Sequence, residues 1–247
     1  KGVTDSPLTG VTRNPWNQNF DVGGSSGGAG ASLAAGLTTI AGGSDIGGSI
    51  RIPASCNGVV GFKPPYGRVP QQPPFNLDHY CHEGPMTRTI ADCALFENII
   101  SGPSPIDIAS LRERVDLPLD PGGVAGLRIA VSVDLGSWDV EDDVKRNTLR
   151  AADALRAAGA TVENTDFALD KDEVFEVAHA HLGAIFGASL ATLLEEHRDV
   201  MTSYAIAFAK DQALAQPVSL LEGMEREGAI TRALGELLEE YDALICP

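Results

Sequence analysis

Residues 23–70 read GGSSGGAGASLAAGLTTIAGGSDIGGSIRIPASCNGVVGFKPPYGRVP. Two short runs stand out in them, Gly23-Gly24-Ser25-Ser26-Gly27-Gly28 and Ser44-Asp45-Ile46-Gly47-Gly48-Ser49-Ile50-Arg51. Between the runs, residues 27–37 are small and apolar, which predicts a short helix that packs closely on its neighbours. Thr38–Gly42 reads as a buried strand and Val59–Phe62 as another. Glycine beside serine lets backbone approach a bound molecule with no Cβ in the way. A serine hydroxyl is a poor nucleophile at neutral pH and needs a neighbouring base. Two glycines directly before Ser49 can aim backbone N–H groups at a developing oxyanion. A helical turn opening at Ser49 through SIRIPAS would add its dipole. Either run alone reads equally well as a tight turn; two of them, followed by Arg51, weaken that reading.

Working outward, Thr89 to Ile100 places Ile90, Cys93, Ala94, Leu95, Ile99 and Ile100 on one helix face, ended by Gly102-Pro103. LRIAVSVD after Gly126 has a strand pattern. Residues 141–157 read as an amphipathic helix with Val144, Leu149, Ala152 and Leu155 inward, 161–168 as a strand, 172–196 and 217–239 as helices, and Ala243–Cys246 as a strand. Alternation of strand and helix predicts an α/β fold, a mixed β-sheet covered by α-helices, in one domain over residues 1–247.

With 18 Lys+Arg against 34 Asp+Glu, the net charge of −16 argues against nucleic-acid or anionic-membrane partners, which need clustered basic surface. No uninterrupted run of eighteen apolar residues is present, so no membrane span is expected. Cys56, Cys81, Cys93 and Cys246 have neither CxxC nor zinc-like spacing and read as reduced core thiols of a cytoplasmic protein. His79 and His82, in LDHYCHEGP, suggest a metal pair or a triad member, but an extended segment puts them on opposite faces. A pocket or structural role is the better reading, and His179 and His181 read as helix-face residues. Gly23-Gly24-Ser25-Ser26-Gly27 satisfies G-x-S-x-G, yet follows the polar, turn-like TRNPWNQNFDV where that motif requires an apolar strand. Lys63 is followed by proline and completes no phosphate-binding loop.

Residues 23–70, with the flanks Thr12–Asn17 and Gly84–Thr89, closely resemble the amidase signature family. The resemblance is dense over residues 7–103 and implies amide hydrolysis by a Ser-cisSer-Lys triad without cofactor or metal. It implies that Ser49 is the nucleophile, that Ser25 is the bridging serine after a cis Gly24–Ser25 bond, and that the backbone of Ile46, Gly47, Gly48 and Ser49 forms the oxyanion hole. Asp45 and Arg51 would hold that loop, with Ser26 and Ser44 in support. The family's lysine lies well upstream of the glycine-serine run; Lys1 and Lys63 do not match it, and Lys63 reads as structural. The chain is therefore expected to be truncated at both ends and inactive alone. The expected partner is a small-molecule amide, with a homo-oligomer left open. Two other functions stay in view: the glutamine-hydrolysing component of a tRNA-dependent amidotransferase, against which residues 66–84 weigh, and a non-catalytic module lacking its base.

Overall fold

The computed structural model describes residues 2–213 and 218–247. Its strands are β1 (Asp5–Ser6), β2 (Gly10–Val11), β3 (Ile40–Asp45), β4 (Val60–Gly61), β5 (His82–Thr87), β6 (Arg128–Val131), β7 (Thr161–Asn164) and β8 (Ala243–Ile245). Its α-helices are α1 (Gly27–Ala34), α2 (Arg51–Asn57), α3 (Ile90–Ile100), α4 (Asp142–Ala157), α5 (Lys171–Glu196), α6 (Ser203–Ala213) and α7 (Leu220–Glu240). The fold is α/β, in two compact units: Lys1–Pro121 with Asp199–Ala205, and Gly122–Arg198 with Ile206–Pro247.

In the first unit an antiparallel sheet runs β3-β5-β4, from Ile40↔Thr87 to Asp45↔His82. Leu33 of α1, Ile50, Ala54 of α2 and Met86 of β5 form its apolar core, with Ala29, Ala41 and Val59 packed on them. The expected strand at 38–42 starts two residues later and runs on to Asp45, and most of it is exposed or half-buried rather than buried. Pairing with β5 carries the strand through Gly42-Gly43 against the usual cost of glycine in a strand. Gly43 has a steric reason: a Cβ there would sit 2.7 Å from Ser26 Oγ and 3.0 Å from Ile50 Cγ1. The N-terminus of α3 is capped by Thr89, whose Oγ1 accepts the Asp92 N–H at 3.1 Å. Its inward stripe is Cys93, Ala94 and the fully buried Glu97, while Ile90, Leu95 and Ile99 are exposed. The expected apolar face thus gives way to one that carries a buried ion pair, Arg68 Nε to Glu97 at 3.5 Å.

In the second unit the sheet is parallel, order β7-β6-β8, over a core of Ile129, Val131, Ala152, Ala160 and Val162. Ala152 and Leu155 of α4 face this core as expected; Val144 and Leu149 are 40% exposed, and Thr148 between them is buried instead. Asp170 caps α5, accepting the N–H groups of Asp172 and Glu173 at 2.9 and 3.1 Å, and Ser219 caps α7. The helix expected from 217 begins at Leu220; Pro217 lies outside the described residues. Helix α5 is long and apolar enough to cross a membrane by length and composition. Small and weakly polar residues interrupt that stretch without lowering its average, so a search for an unbroken apolar run passes over it. It packs on α7, where a Cβ on Gly223 would come 3.2 Å from Ala180. All four cysteines are free; Cys81 and Cys93 are buried, but Cys56 and Cys246 are exposed, so the core-thiol expectation holds for two of them.

Candidate active site

Strand β3 ends at Asp45 and α2 begins at Arg51, and the loop between carries Ser49. The Asp45 side chain is fully buried and organises the loop. Its Oδ1 accepts the Gly48 N–H at 2.6 Å and Arg51 Nη2 at 2.9 Å. Its Oδ2 accepts Arg51 Nε at 2.9 Å and the Ile50 and Arg51 N–H groups at 3.2 and 3.3 Å. Behind the loop, Lys63 Nζ lies 3.5 Å from Asp45 Oδ1 and donates to the Ile46 carbonyl at 3.4 Å. Burial alone raises the Asp45 carboxyl. The hydrogen bonds from Arg51 and the Gly48 N–H, with the charges of Arg51 and Lys63, outweigh it and hold the group well below the usual carboxylate range. The hydrogen bond to Asp45 raises Arg51. At Lys63 burial wins over the attraction of Asp45, and its ammonium is pushed down.

On the far side of Ser49 the loop is pinned by Ile50, which is fully buried in the core. The Ile52 N–H donates to the Gly48 carbonyl at 2.7 Å and starts α2. Gly48 has φ +115°, a conformation that favours glycine, and a Cβ on it would sit 2.7 Å from Ile52 Cδ1. The Gly48 N–H points inward to Asp45. The carboxylate thus fixes the Gly48 peptide, while the glycine's conformation shapes the turn.

The first glycine-serine run meets this loop edge to edge. The Ser26 N–H donates to the Ser49 carbonyl at 3.1 Å, and α1 starts directly after. The Gly24–Ser25 peptide is cis, the geometry the family resemblance implies. The run is tied down by Thr4 Oγ1 donating to the Gly23 carbonyl at 2.8 Å and by the Gly23 N–H donating to Asp21 at 2.6 Å. Asn57, fully buried at the end of α2, donates to the carbonyls of Val22 at 3.0 Å and Pro53 at 2.8 Å, so α2 and the run share an anchor. Ser25 is exposed and Ser49 half-buried. Ser44, on β3, pairs in register with Glu83.

His82, opposite Asp45 on β5, is buried with its ring edge-on to Tyr66, centroids 5.9 Å apart, and neither ring nitrogen has a hydrogen-bond partner. Burial, followed by the Lys63 charge, pushes it below the ordinary histidine range. His79 lies against Tyr80 instead. Among the described residues no three His, Cys, Asp or Glu side chains cluster as a metal would require. His179 Nε2 pairs with Asp211 at 3.1 Å on the exposed side of α5. Lys1 lies outside the described residues. Sequence reasoning missed Asn57 as the shared anchor and Lys63 as a neighbour of Asp45, since neither position belongs to a spacing pattern.

The Amidase family model matches residues 1–247. The chain is 43% identical over 165 residues to an acylamidase of Rhodococcus erythropolis, covering 65% of this chain and 34% of that protein. It is 31% identical over 263 residues to a glutamyl-tRNA(Gln) amidotransferase component of Thermotoga maritima, covering 96% of this chain and 55% of that protein. A bacterial aryl acylamidase of the amidase signature enzymes superposes with a TM-score of 0.87 at 31% identity, over 100% of this chain and 53% of that one. The chain thus spans about half the length of the solved structures it matches. A glycine-serine run meeting a carboxylate-anchored serine loop, together with a family match along the whole sequence, shows that this chain belongs to the Amidase family, that of the amidase signature enzymes.

Proposed function

We propose that the full-length protein hydrolyses small-molecule amides in the cytoplasm through an acyl-enzyme on Ser49, with residues 1–247 forming part of a single amidase domain. The observation that carries this reading is the Ser26–Ser49 backbone contact, which brings the two serine runs together beside the loop anchored by Asp45. Ser25 takes the Ser49 proton and passes it to the family's lysine, for which residues 1–247 offer no matching position. Ser49 Oγ attacks the carbonyl carbon, and the charge on the carbonyl oxygen falls to the N–H groups of the loop. The C–N bond breaks, the amine leaves with the relayed proton, and water then releases the carboxylic acid and restores the hydroxyl. Because the base is supplied by the rest of the protein, residues 1–247 alone are inactive.

The test is amine or ammonia release from a panel of aliphatic amides, aryl amides and anilides by the full-length protein. Ser49→Ala should lose all turnover above background and Ser25→Ala nearly all. Turnover retained by Ser49→Ala overturns the assignment. A second reading, glutamine hydrolysis within an amidotransferase, is favoured by the likeness to the Thermotoga protein over 96% of the chain. Glutaminase activity that appears only with a tRNA-binding partner would select it.

A further inference from the structure

We propose that Lys63 is a positioning residue for amide hydrolysis, holding the Ile46–Gly47 peptide so that its N–H faces the reacting carbonyl; this rests on the function proposed above. The Ile46–Gly47 peptide is trans, so its carbonyl and N–H point in opposite directions. Lys63 Nζ donates to the Ile46 carbonyl at 3.4 Å from behind the loop. A carbonyl held on that side sends the Gly47 N–H outward, and Gly47 is exposed.

The glycine pair gives the peptide reason to need holding. Gly47 has no side chain, and no described heavy atom beyond its two chain neighbours lies within 4 Å of where its Cβ would be, so packing does not fix this plane. The next peptide is fixed differently, by the Gly48 N–H on Asp45 at 2.6 Å. Arg51 already engages both Asp45 oxygens at 2.9 Å, whereas Lys63 stands 3.5 Å from the carboxylate. A second cation adds little to that pair. Its distinct contribution is the Ile46 carbonyl, which Arg51 does not contact.

The lysine is itself rigidly mounted. Its side chain is only 15% exposed. The residue before it continues the sheet, the Phe62 N–H donating to the Pro85 carbonyl at 3.1 Å, and Pro64 after it is fully buried. An ammonium held between Asp45 and Ile46 makes the loop a two-point clamp, with Asp45 setting the Gly48 plane and Lys63 setting the Gly47 plane.

The experiment uses the full-length protein and an alkyl fluorophosphonate, with labelling followed by intact mass. In this reaction Ser49 Oγ forms a bond to phosphorus, the P–F bond breaks, fluoride leaves, and the serine proton passes through Ser25 to the base. Charge builds on the phosphoryl oxygen, as it does on an amide carbonyl oxygen. Lys63→Met should lower the maximal labelling rate by about 10- to 100-fold, short of or comparable to the loss of one oxyanion donor. The reagent concentration for half-maximal rate should not change, and Lys63→Arg, which keeps a donor, should recover part of the rate. Labelling of Lys63→Met at the wild-type rate overturns the inference while leaving Ser49 as nucleophile. Loss of native circular dichroism in Lys63→Met also overturns it, by assigning the lysine to folding. Failure of the wild-type protein to label at Ser49 removes the proposed function and this inference with it.

Discussion

Replacing Asp45 with asparagine tests the architecture of the loop most directly. The carboxylate is fully buried and accepts five hydrogen bonds, from the N–H groups of Gly48, Ile50 and Arg51 and from Nε and Nη2 of Arg51, with Lys63 at 3.5 Å. Asparagine keeps the volume but offers one oxygen, turns an NH2 toward donors and leaves Lys63 without its counter-charge. Removing one member of a buried, hydrogen-bonded charge pair costs about 3–5 kcal/mol. The Arg51 side chain is 54% exposed and recovers water, which lowers the figure, whereas Gly48 and Ile50 are buried and do not. The expected loss is about 3 kcal/mol in urea unfolding of the full-length protein at pH 7. The pH dependence gives a second check. The folded-state pKa of Asp45 lies below its ordinary value of 3.8, so the stability it contributes is complete above about pH 4 and is lost as pH falls through the folded pKa. The wild-type and Asp45→Asn curves should therefore converge on acidification. A loss under about 1 kcal/mol at pH 7, the size of a surface pair, or parallel acid slopes, would refute the reasoning.

Gly48→Ala should reduce kcat by about 100-fold or more, the scale of one lost oxyanion donor, because φ +115° and a Cβ 2.7 Å from Ile52 Cδ1 force the loop to move; steady-state amide hydrolysis reads it, and unchanged kcat would contradict it. His82→Phe should flatten the pH dependence of Tm between pH 7.5 and 5. The folded-state pKa of His82 is depressed, so the unfolded chain binds the proton first, and stability that is complete above about pH 6.5 declines below it in the wild-type protein alone. Asn57→Ala should cost about 2–3 kcal/mol in urea unfolding, since the carbonyls of Val22 and Pro53 lose a buried donor; a change within about 0.5 kcal/mol would show that water replaces it.

The elements that are legible in the sequence are those whose signal is local. Helix α1, helices α4, α5 and α7 and strands β6, β7 and β8 follow from local composition and periodicity, although the capping residues Asp170 and Ser219 are not among the signals that place them. Strand β5 is not legible: HEGPMT has no alternation, and its extension comes from pairing with both β3 and β4. The inward face of α3 departs from its apolar pattern because Glu97, a charged residue, holds the most buried position through Arg68. At the site, the two glycine-serine runs and the resemblance single out Ser25, Asp45, Ser49 and Arg51. The inward turn of the Gly48 N–H depends on where the carboxylate lies in space, which no spacing rule reports.

The fixings of the serine loop are also short in sequence. Ser26, Asp45, Arg51, Ile52 and Lys63 supply the contacts described around it, and the sheet beneath closes at Thr87. Contacts between residues this near one another demand little loop-closure entropy and form early. During synthesis, where N-terminal segments emerge first, the scaffold of the serine loop can set before the second unit leaves the ribosome.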